Sequence, residues 1–381
     1  MKREPTKTAL ILTGGGARAA YQVGVVKAVR EMLPPDTPNP FPILCGTSAG
    51  AINAAALAVS AENFSAGVDA LTEVWSGFHA EQVYRADPAG VAAAAARWLA
   101  LLAFGWITRR SPRSLLDNSP LCQLLQDTVD FERLESAINH HALHSLSITC
   151  SGYGSGHSVS FFQGRADLEP WRRSQRIGAH VKLNVDHLMA SSGIPFLFPA
   201  VRLNREYFGD GSMRQLSPLS PAIHLGAEKV MVIGAGRMAD SSDDRETSDT
   251  YPSLARIAGH AMSSIFLDAL SVDLERVERV NQTLSLIPPD ARTNGLTTLR
   301  PVEVLVISPS QRLDHIAAKH FGALPWPMRM LLRGLGAKGK QGGALVSYLL
   351  FEPPYTRALI DLGYQDTMAR REEVLRFLDM T

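Results

Sequence analysis

The start of the chain alternates short apolar runs with helical patterns, and clusters of glycine mark the turns between them. Residues 8–12 (TALIL) have the length and composition of a buried strand, and GGG at 14–16 follows almost directly. Residues 17–32 then carry apolar side chains at helical spacing. A second apolar run at 41–45 leads into GTSAG at 46–50 and an alanine-rich helix. This β-α-β-α order predicts a parallel sheet with helices on its faces.

The composition excludes several classes of protein. The 381 residues carry a net charge of +1, so no overall field attracts nucleic acid. The three cysteines are odd in number and lack metal-ligand spacing, so we predict a reducing compartment rather than a disulfide framework. The first apolar run is too short for a secretory signal, and Arg97 interrupts the apolar stretch 91–107. We therefore expect a cytoplasmic protein without a membrane span.

The motif GTSAG carries a serine between a predicted strand and a predicted helix. Gly46, Ser48 and Gly50 fit G-x-S-x-G, in which small flanking residues allow a sharp turn that raises the serine hydroxyl above a sheet. The free N–H groups and the dipole of the following helix would favour an alkoxide there. The context indicates that Ser48 is a nucleophile; the alternative is an N-cap serine without chemistry.

The glycines at 14–16 are expected to lie beside this serine. A right-handed crossover makes the strands at 8–12 and 41–45 parallel neighbours, so that the loops following both strands share one edge of the sheet. Backbone N–H groups of Gly14, Gly15 and Gly16 can then approach a substrate closely, because no Cβ intervenes. The pattern predicts an oxyanion hole for a carbonyl that the serine attacks.

A nucleotide site is the competing interpretation of the same loop. Gly14, Gly16 and Ala19 fit the dinucleotide pattern G-x-G-x-x-G/A. That site needs an acidic residue at the end of the second strand, where this chain has CGTSAG instead. A Walker-type phosphate loop also fails, because no G-K-[ST] follows. We therefore expect no nucleotide and no other cofactor.

A serine nucleophile needs a base, and the sequence offers an aspartate more readily than a histidine. None of the eleven histidines lies in a setting that marks it as catalytic. Asp210 stands between two glycines, Gly209 and Gly211, just after the apolar pair Tyr207 and Phe208. Glycine on both sides indicates a tight turn against another segment, although an aspartate in a β-turn is common without any function.

Three motifs together resemble the patatin-like phospholipases, which are lipid acyl hydrolases. GGGARAAYQVGVV, GTSAG and DGS occur in this order and at these separations. The likeness extends through SSGIPFLFPAV, SPLSPAIHLGAEKVMVIGA and VEVLVISPS, so it covers about residues 8–310. The resemblance implies an α/β/α sandwich of three layers with a mainly parallel central sheet, followed by additional C-terminal helices.

The resemblance also implies roles for individual residues. Ser48 is the expected nucleophile and Asp210 the expected general base, and the glycine loop together with Arg18 belongs to the oxyanion hole. For Arg18 a structural ion pair is the alternative. The family commonly has glycine where this chain has Ala19, and glycine or alanine where it has Ser212. Both changes are small in volume and bear on rate and substrate more than on mechanism. No metal is implied.

We predict three parts of the chain. Residues 8–223 form the catalytic core, and 224–310 form the rest of the α/β core with an acidic surface loop at 237–251. Residues 311–381 form a C-terminal helical region. Further strands are predicted where short apolar runs recur, at 145–150, 158–162, 229–234 and 302–307.

The predicted function is hydrolysis of lipid esters of the phospholipase A or lysophospholipase type. An acyl-thioesterase or acyltransferase is the second possibility, since the same groups would serve a thioester, and a catalytically silent lipid-binding protein is the third. Two stretches rich in apolar and basic residues, 97–113 and 325–340, fit peripheral contact with an anionic membrane. Core helices or a lid over the acyl cleft would produce the same pattern.

Overall fold

The computed structural model describes most of the chain. The described residues are 7–35, 37–88, 90, 93, 96, 100, 114–236, 251, 253–288, 299–337 and 342–380. The predicted membrane-contact stretch 97–113 therefore lies outside the description except for residue 100. The predicted acidic loop 237–251 lies outside it except for residue 251, and so does the end of the stretch 325–340.

The described strands and helices follow one another in the α/β order that the sequence predicts. The strands are β1 (Thr8–Leu12), β2 (Ile43–Thr47), β3 (Ser145–Gly152), β4 (Ser158–Gly164), β5 (Trp171–Arg173), β6 (Arg176–His180), β7 (Val201–Leu203), β8 (Glu206–Asp210), β9 (Lys229–Ile233) and β10 (Glu303–Ile307). The helices are α1 (Ala20–Met32), α2 (Ala49–Val59), α3 (Phe64–Ser76), α4 (Ser119–Thr128), α5 (Phe131–Asn139), α6 (Val185–Ser191), α7 (Ser220–His224), α8 (Leu254–Ser285), α9 (Leu313–Lys319), α10 (Trp326–Gly334), α11 (Gly343–Leu349), α12 (Pro353–Met368) and α13 (Arg371–Phe377).

The strands form one sheet in the order β10-β9-β1-β2-β3-β4-β6-β5. The strands from β10 to β3 are all parallel, and β1 pairs with β2 as predicted, with Ala9 opposite Ile43. Beyond β3 the pairing is mixed: β4 pairs antiparallel with β3 along its whole length, β6 pairs parallel with β4, and β5 pairs antiparallel with β6. The strand β8 also pairs antiparallel with the end of β3, and β7 pairs with β8. The predicted mainly parallel central sheet is confirmed.

Alternating side chains of the central strands pack into two separate layers of the core. Leu10 and Leu44 face the larger apolar layer, which contains α1, α2 and α12. Ala9 and Ile43 face the opposite layer, where Leu219 and neighbouring residues of α7 and α8 cover the sheet. A sheet buried on both faces by helices gives the predicted arrangement of three layers.

The helix α8 is long and apolar enough to cross a membrane by length and composition alone. Asp273 in its second half is buried, and the carboxylate accepts a hydrogen bond from the backbone N–H of Leu219 at 3.0 Å. This contact ties the helix to the layer that covers the sheet.

Candidate active site

The segment GTSAG forms a sharp turn between β2 and α2. Ser48 has φ +55° and ψ −132°, a left-handed backbone conformation that non-glycine residues rarely adopt. Gly50 allows the turn to pack closely, because a Cβ there would collide with the carbonyl oxygen of Leu12 in β1. Such strain persists only where the surrounding structure holds it, and it is common at functional sites.

A buried serine holds this turn in place. The backbone N–H of Ser48 donates to Oγ of Ser191 at 2.8 Å, and Ser191 Oγ donates to the carbonyl oxygen of Thr149 at 2.6 Å. Ser191 thus links the turn to β3. Ser191 belongs to the segment SSGIPFLFPAV, but two adjacent serines carry no spacing signal that would predict this role from the sequence.

Strand pairing brings Asp210 to Ser48. Thr47, the last residue of β2, lies opposite Thr149 in β3, and Asp210, the last residue of β8, lies opposite the next residue, Cys150. Because β2 and β8 approach along the same edge of β3 from opposite directions, their ends meet. Gly211, which follows, begins a short 3-10 turn.

The carboxylate of Asp210 is buried, and only one of its two oxygens has an aligned hydrogen-bond donor among the described residues. Its Oδ1 accepts the backbone N–H of Ser212 at 2.9 Å, whereas Oδ2 has no aligned hydrogen-bond partner among the described residues. Burial raises the pKa of Asp210 to about 6, although the nearby Ser48 hydroxyl and Ser212 act in the opposite direction. At neutral pH the group is therefore ionised and is a stronger base than an ordinary aspartate.

The glycine loop borders the same cavity as Ser48. Gly16 has φ +53° and begins a 3-10 turn, Gly16–Ala19, with Gly15 as its N-cap. Gly16 and Ser48 both line the cavity. The backbone N–H groups of Gly14, Gly15 and Gly16 have no acceptor within the described part of the chain. Gly16 is the glycine of this loop that lines the cavity, and the oxyanion hole stays a prediction.

Buried polar side chains fix the start of this loop. Gln22 Nε2 donates to the carbonyl oxygen of Thr13 at 2.7 Å, and Asn53 Nδ2 donates to Gln22 Oε1 at 3.0 Å. Trp75 Nε1 donates to Asn53 Oδ1 at 2.8 Å, which connects α3 to the network. A network satisfied in this way specifies one position of the loop.

Arg18 points into the C-terminal helices rather than into the cavity. Its side chain is buried, Nε donates to Ser347 Oγ at 2.7 Å, and the guanidinium lies 4.0 Å from the centre of the Tyr348 ring. The carbonyl of Tyr348 also occupies the space that a Cβ on Gly16 would need. Thus α11 supports the glycine loop, and the observed partners of Arg18 are a hydroxyl and an aromatic ring.

An apolar cavity of about 310 Å³ extends from Ser48 between the helices. Its lining includes Gly16, Ser48, Ser192 and Tyr348, and Arg133 lines it on α5. Its walls come from α2, α3, α4 and neighbouring loops and include Ile52, Leu71, Val74, Trp75, Phe78, Leu121, Leu125, Ile194, Phe198 and Phe351. A cavity with this lining accepts a hydrocarbon chain. None of the histidines in the described regions lines it.

The described residues contain no group of three or more His, Cys, Asp or Glu side chains placed to hold a metal ion.

Residues 10–223 match the family model described as patatin-like phospholipase. No curated protein sequence matches the chain. Among solved structures, VipD from Legionella pneumophila has a TM-score of 0.39 and 13% identity, covering 98% of this chain and 67% of its own. The type III effector protein ExoU has a TM-score of 0.28 and 16% identity, covering 98% of this chain and 89% of its own. The family assignment therefore rests on the match of residues 10–223 to the family model and not on these structures.

Proposed function

Because the chain belongs to the patatin-like phospholipase family, we propose that it is a serine hydrolase that cleaves lipid esters with a Ser48–Asp210 dyad. One observation carries the proposal. The serine stands on a strained turn and lines an apolar cavity, near the buried carboxylate of Asp210, whose Oδ2 has no aligned hydrogen-bond partner among the described residues. This arrangement has a nucleophile, a base and a place for an acyl chain.

In the acylation step, Ser48 Oγ attacks the ester carbonyl while its proton passes to the free Oδ2 of Asp210. The negative charge then develops on the carbonyl oxygen, and backbone N–H groups of the glycine loop stabilise it. When the tetrahedral intermediate collapses, the bond to the alcohol breaks and Asp210 returns the proton to the leaving oxygen. The products are a free alcohol and an acyl ester on Ser48.

In the second step, a water molecule attacks the acyl ester and Asp210 accepts its proton. The same N–H groups stabilise the second oxyanion. Collapse breaks the bond to Ser48 Oγ, which takes the proton back from Asp210, and a carboxylic acid leaves. The cycle needs one base and no external oxidant or reductant.

The cavity favours a long acyl chain as the substrate group. Its lining is mainly apolar, with Ser60, Thr128 and Arg133 as the polar residues apart from Ser48 and Ser192, so that methylene groups gain free energy when they leave water. We also propose that the stretch 325–340 contacts an anionic membrane. On α10, Trp326 and Met330 are each 59% exposed, and Arg333 is exposed beside them.

The test is turnover of a chain-length series of esters and of matched acyl thioesters by the wild type and by Ser48→Ala. We expect hydrolysis of esters to increase with acyl length and to be lost in Ser48→Ala by about 10⁴-fold or more. A preference for thioesters would favour the thioesterase alternative. Equal turnover by the two proteins would contradict the proposed nucleophile.

A further inference from the structure

Phe196 lies between Ile194 and Phe198, which line the cavity of the candidate site, and it has an unusual conformation and exposure. Its side chain is 75% exposed, and its backbone has φ +66°, a conformation that is a genuine outlier for a bulky residue. The strained backbone and the exposed aromatic ring of Phe196 do not stabilise the folded protein by itself. Such a position therefore indicates a function.

The loop presents this ring rigidly. The backbone N–H of Leu115 donates to the carbonyl of Phe196 at 2.7 Å, and Leu116 donates to Leu197 at 2.9 Å. Ile194 and Phe198, on either side, are buried and line the cavity. The ring therefore projects from a fixed turn whose other apolar side chains form the cavity wall.

Two further exposed apolar side chains follow Asp210. Met213 is 36% exposed and Leu216 is 59% exposed. Gln215, between them, accepts a hydrogen bond from Thr47 Oγ1 at 2.9 Å, which ties this segment to the nucleophile turn. We call Phe196, Met213 and Leu216 the apolar rim.

The loop of Phe196 is attached to the same place. The backbone N–H of Asp210 donates to the carbonyl oxygen of Gly193 at 3.0 Å. The three members of the apolar rim therefore come from two segments that both contact the candidate dyad.

In the segments that carry the apolar rim, exposed basic side chains outnumber exposed acidic ones. Between residues 187 and 217, all of which are described, the arginines Arg202, Arg205 and Arg214 are exposed. The acids in this range are the buried Asp210 and Glu206, whose carboxylate accepts the backbone N–H of Ser155. One exposed acid, Asp117, follows Leu116 in the segment that is hydrogen-bonded to the Phe196 turn. Apolar side chains flanked by exposed arginines complement an anionic lipid surface.

We infer that the apolar rim docks on the surface of an anionic phospholipid bilayer, with Phe196 inserted among the acyl chains. This inference rests on the proposed function, because it explains how a lipid ester reaches Ser48. It assigns a contact surface different from 97–113 and 325–340. Because Ile194 and Phe198 line the cavity on either side of Phe196, docking of this turn would bring the cavity wall close to the bilayer and shorten the path of an acyl chain through water.

The experiment measures sedimentation with phosphatidylcholine vesicles, with and without phosphatidylglycerol, in a Ser48→Ala background that leaves the lipid intact. The variants are Phe196→Gly and Phe196→Asn, since both residues tolerate positive φ. Leu286→Ala is the matched control, because Leu286 is 83% exposed and follows α8 outside the rim. Thermal melts verify folding, and light scattering gives the oligomeric state.

We expect both Phe196 variants to lower partitioning onto anionic vesicles about tenfold, without a lower melting temperature. Phe196→Trp should retain binding and show a blue-shifted emission with vesicles, whereas Leu286→Ala should bind like its parent. Unchanged binding by folded Phe196→Gly would overturn the inference, and so would a change of oligomeric state, which would identify the rim as a protein interface. Turnover of a soluble ester by the wild type tests the proposed function separately.

Discussion

Thr47 and Asp210 lie opposite consecutive residues on the same edge of β3, so the end of β8 meets the end of β2. The proximity of the candidate nucleophile and base is therefore a property of strand register. A slip of the β8 register by one residue would turn the Asp210 side chain to the other face of the sheet. The pairing between β3 and β8 is thus as important to the site as the two side chains themselves.

The raised pKa of Asp210 predicts a pH dependence. A carboxylate that acts as the general base can accept a proton only when it is ionised. The value of kcat/KM should therefore fall about tenfold per pH unit below about pH 6. The profile of a water-soluble short-chain ester measures this, since lipid packing does not enter. A profile without an acidic limb near that value would indicate that another group is the base.

Asp210→Asn should remove activity but increase stability at neutral pH. The pKa is about 6 in the folded protein and near 3.8 without burial, so the ionised carboxylate destabilises the fold above pH 6 by about 3 kcal/mol. This destabilisation fades as the pH falls from about 6 to about 4. Asparagine removes the charge and can still accept the N–H of Ser212.

Urea unfolding at about pH 8 and about pH 4.5 checks this, with wild type and Asp210→Asn side by side. The increase in the free energy of unfolding caused by Asp210→Asn should be large at about pH 8 and much smaller at about pH 4.5. An equal increase at both pH values would show that the buried charge is not its cause.

Ser191→Ala should loosen the nucleophile turn. The Ser48 N–H would lose its acceptor while buried, which costs about 1–3 kcal/mol of stability. A displaced Ser48 should lower kcat more than it raises KM. Ser192→Ala is the control for stability, because the neighbouring Ser192 Oγ has no hydrogen-bond partner among the described residues. If the two variants melt alike, Ser191 does not anchor the turn.

Replacing Arg18 by lysine tests the support that α11 gives to the glycine loop. Lysine keeps the charge but loses the planar contact with Tyr348 and the geometry of the bond to Ser347. We expect a lower kcat with little change in KM, because a shifted loop mainly loses contact with developing charge. Ser347→Ala should reduce kcat in the same direction. An unchanged kcat in folded Arg18→Lys would separate this contact from catalysis.

The sequence predicted the central fold because its signals are local. The short apolar runs became β1, β2, β3, β4, β9 and β10, and the GTSAG turn lies where its glycines indicated. The strands β5 to β8 were not predicted, since they are short and carry weak apolar patterns. The missing prediction of β8 matters most, because the last residue of this strand is Asp210.

Contacts between distant parts of the chain could not be predicted. The side chain of Arg18 contacts Ser347 and Tyr348. No local sequence pattern predicts that a helix near the C-terminus packs on a loop near the N-terminus. The cavity likewise uses apolar side chains of α3 and α4 that look like ordinary core positions. Helical periodicity identifies which side chains are apolar and buried, but it does not show which other segments they contact.

Labelling of the intact protein with a fluorophosphonate, followed by peptide mass spectrometry, tests the central claim most directly. We predict one adduct per chain, located on Ser48, with activity lost in proportion to labelling and no adduct on Ser48→Ala. An adduct on another residue, or full ester turnover by a completely labelled protein, would contradict the assignment of Ser48 as the nucleophile.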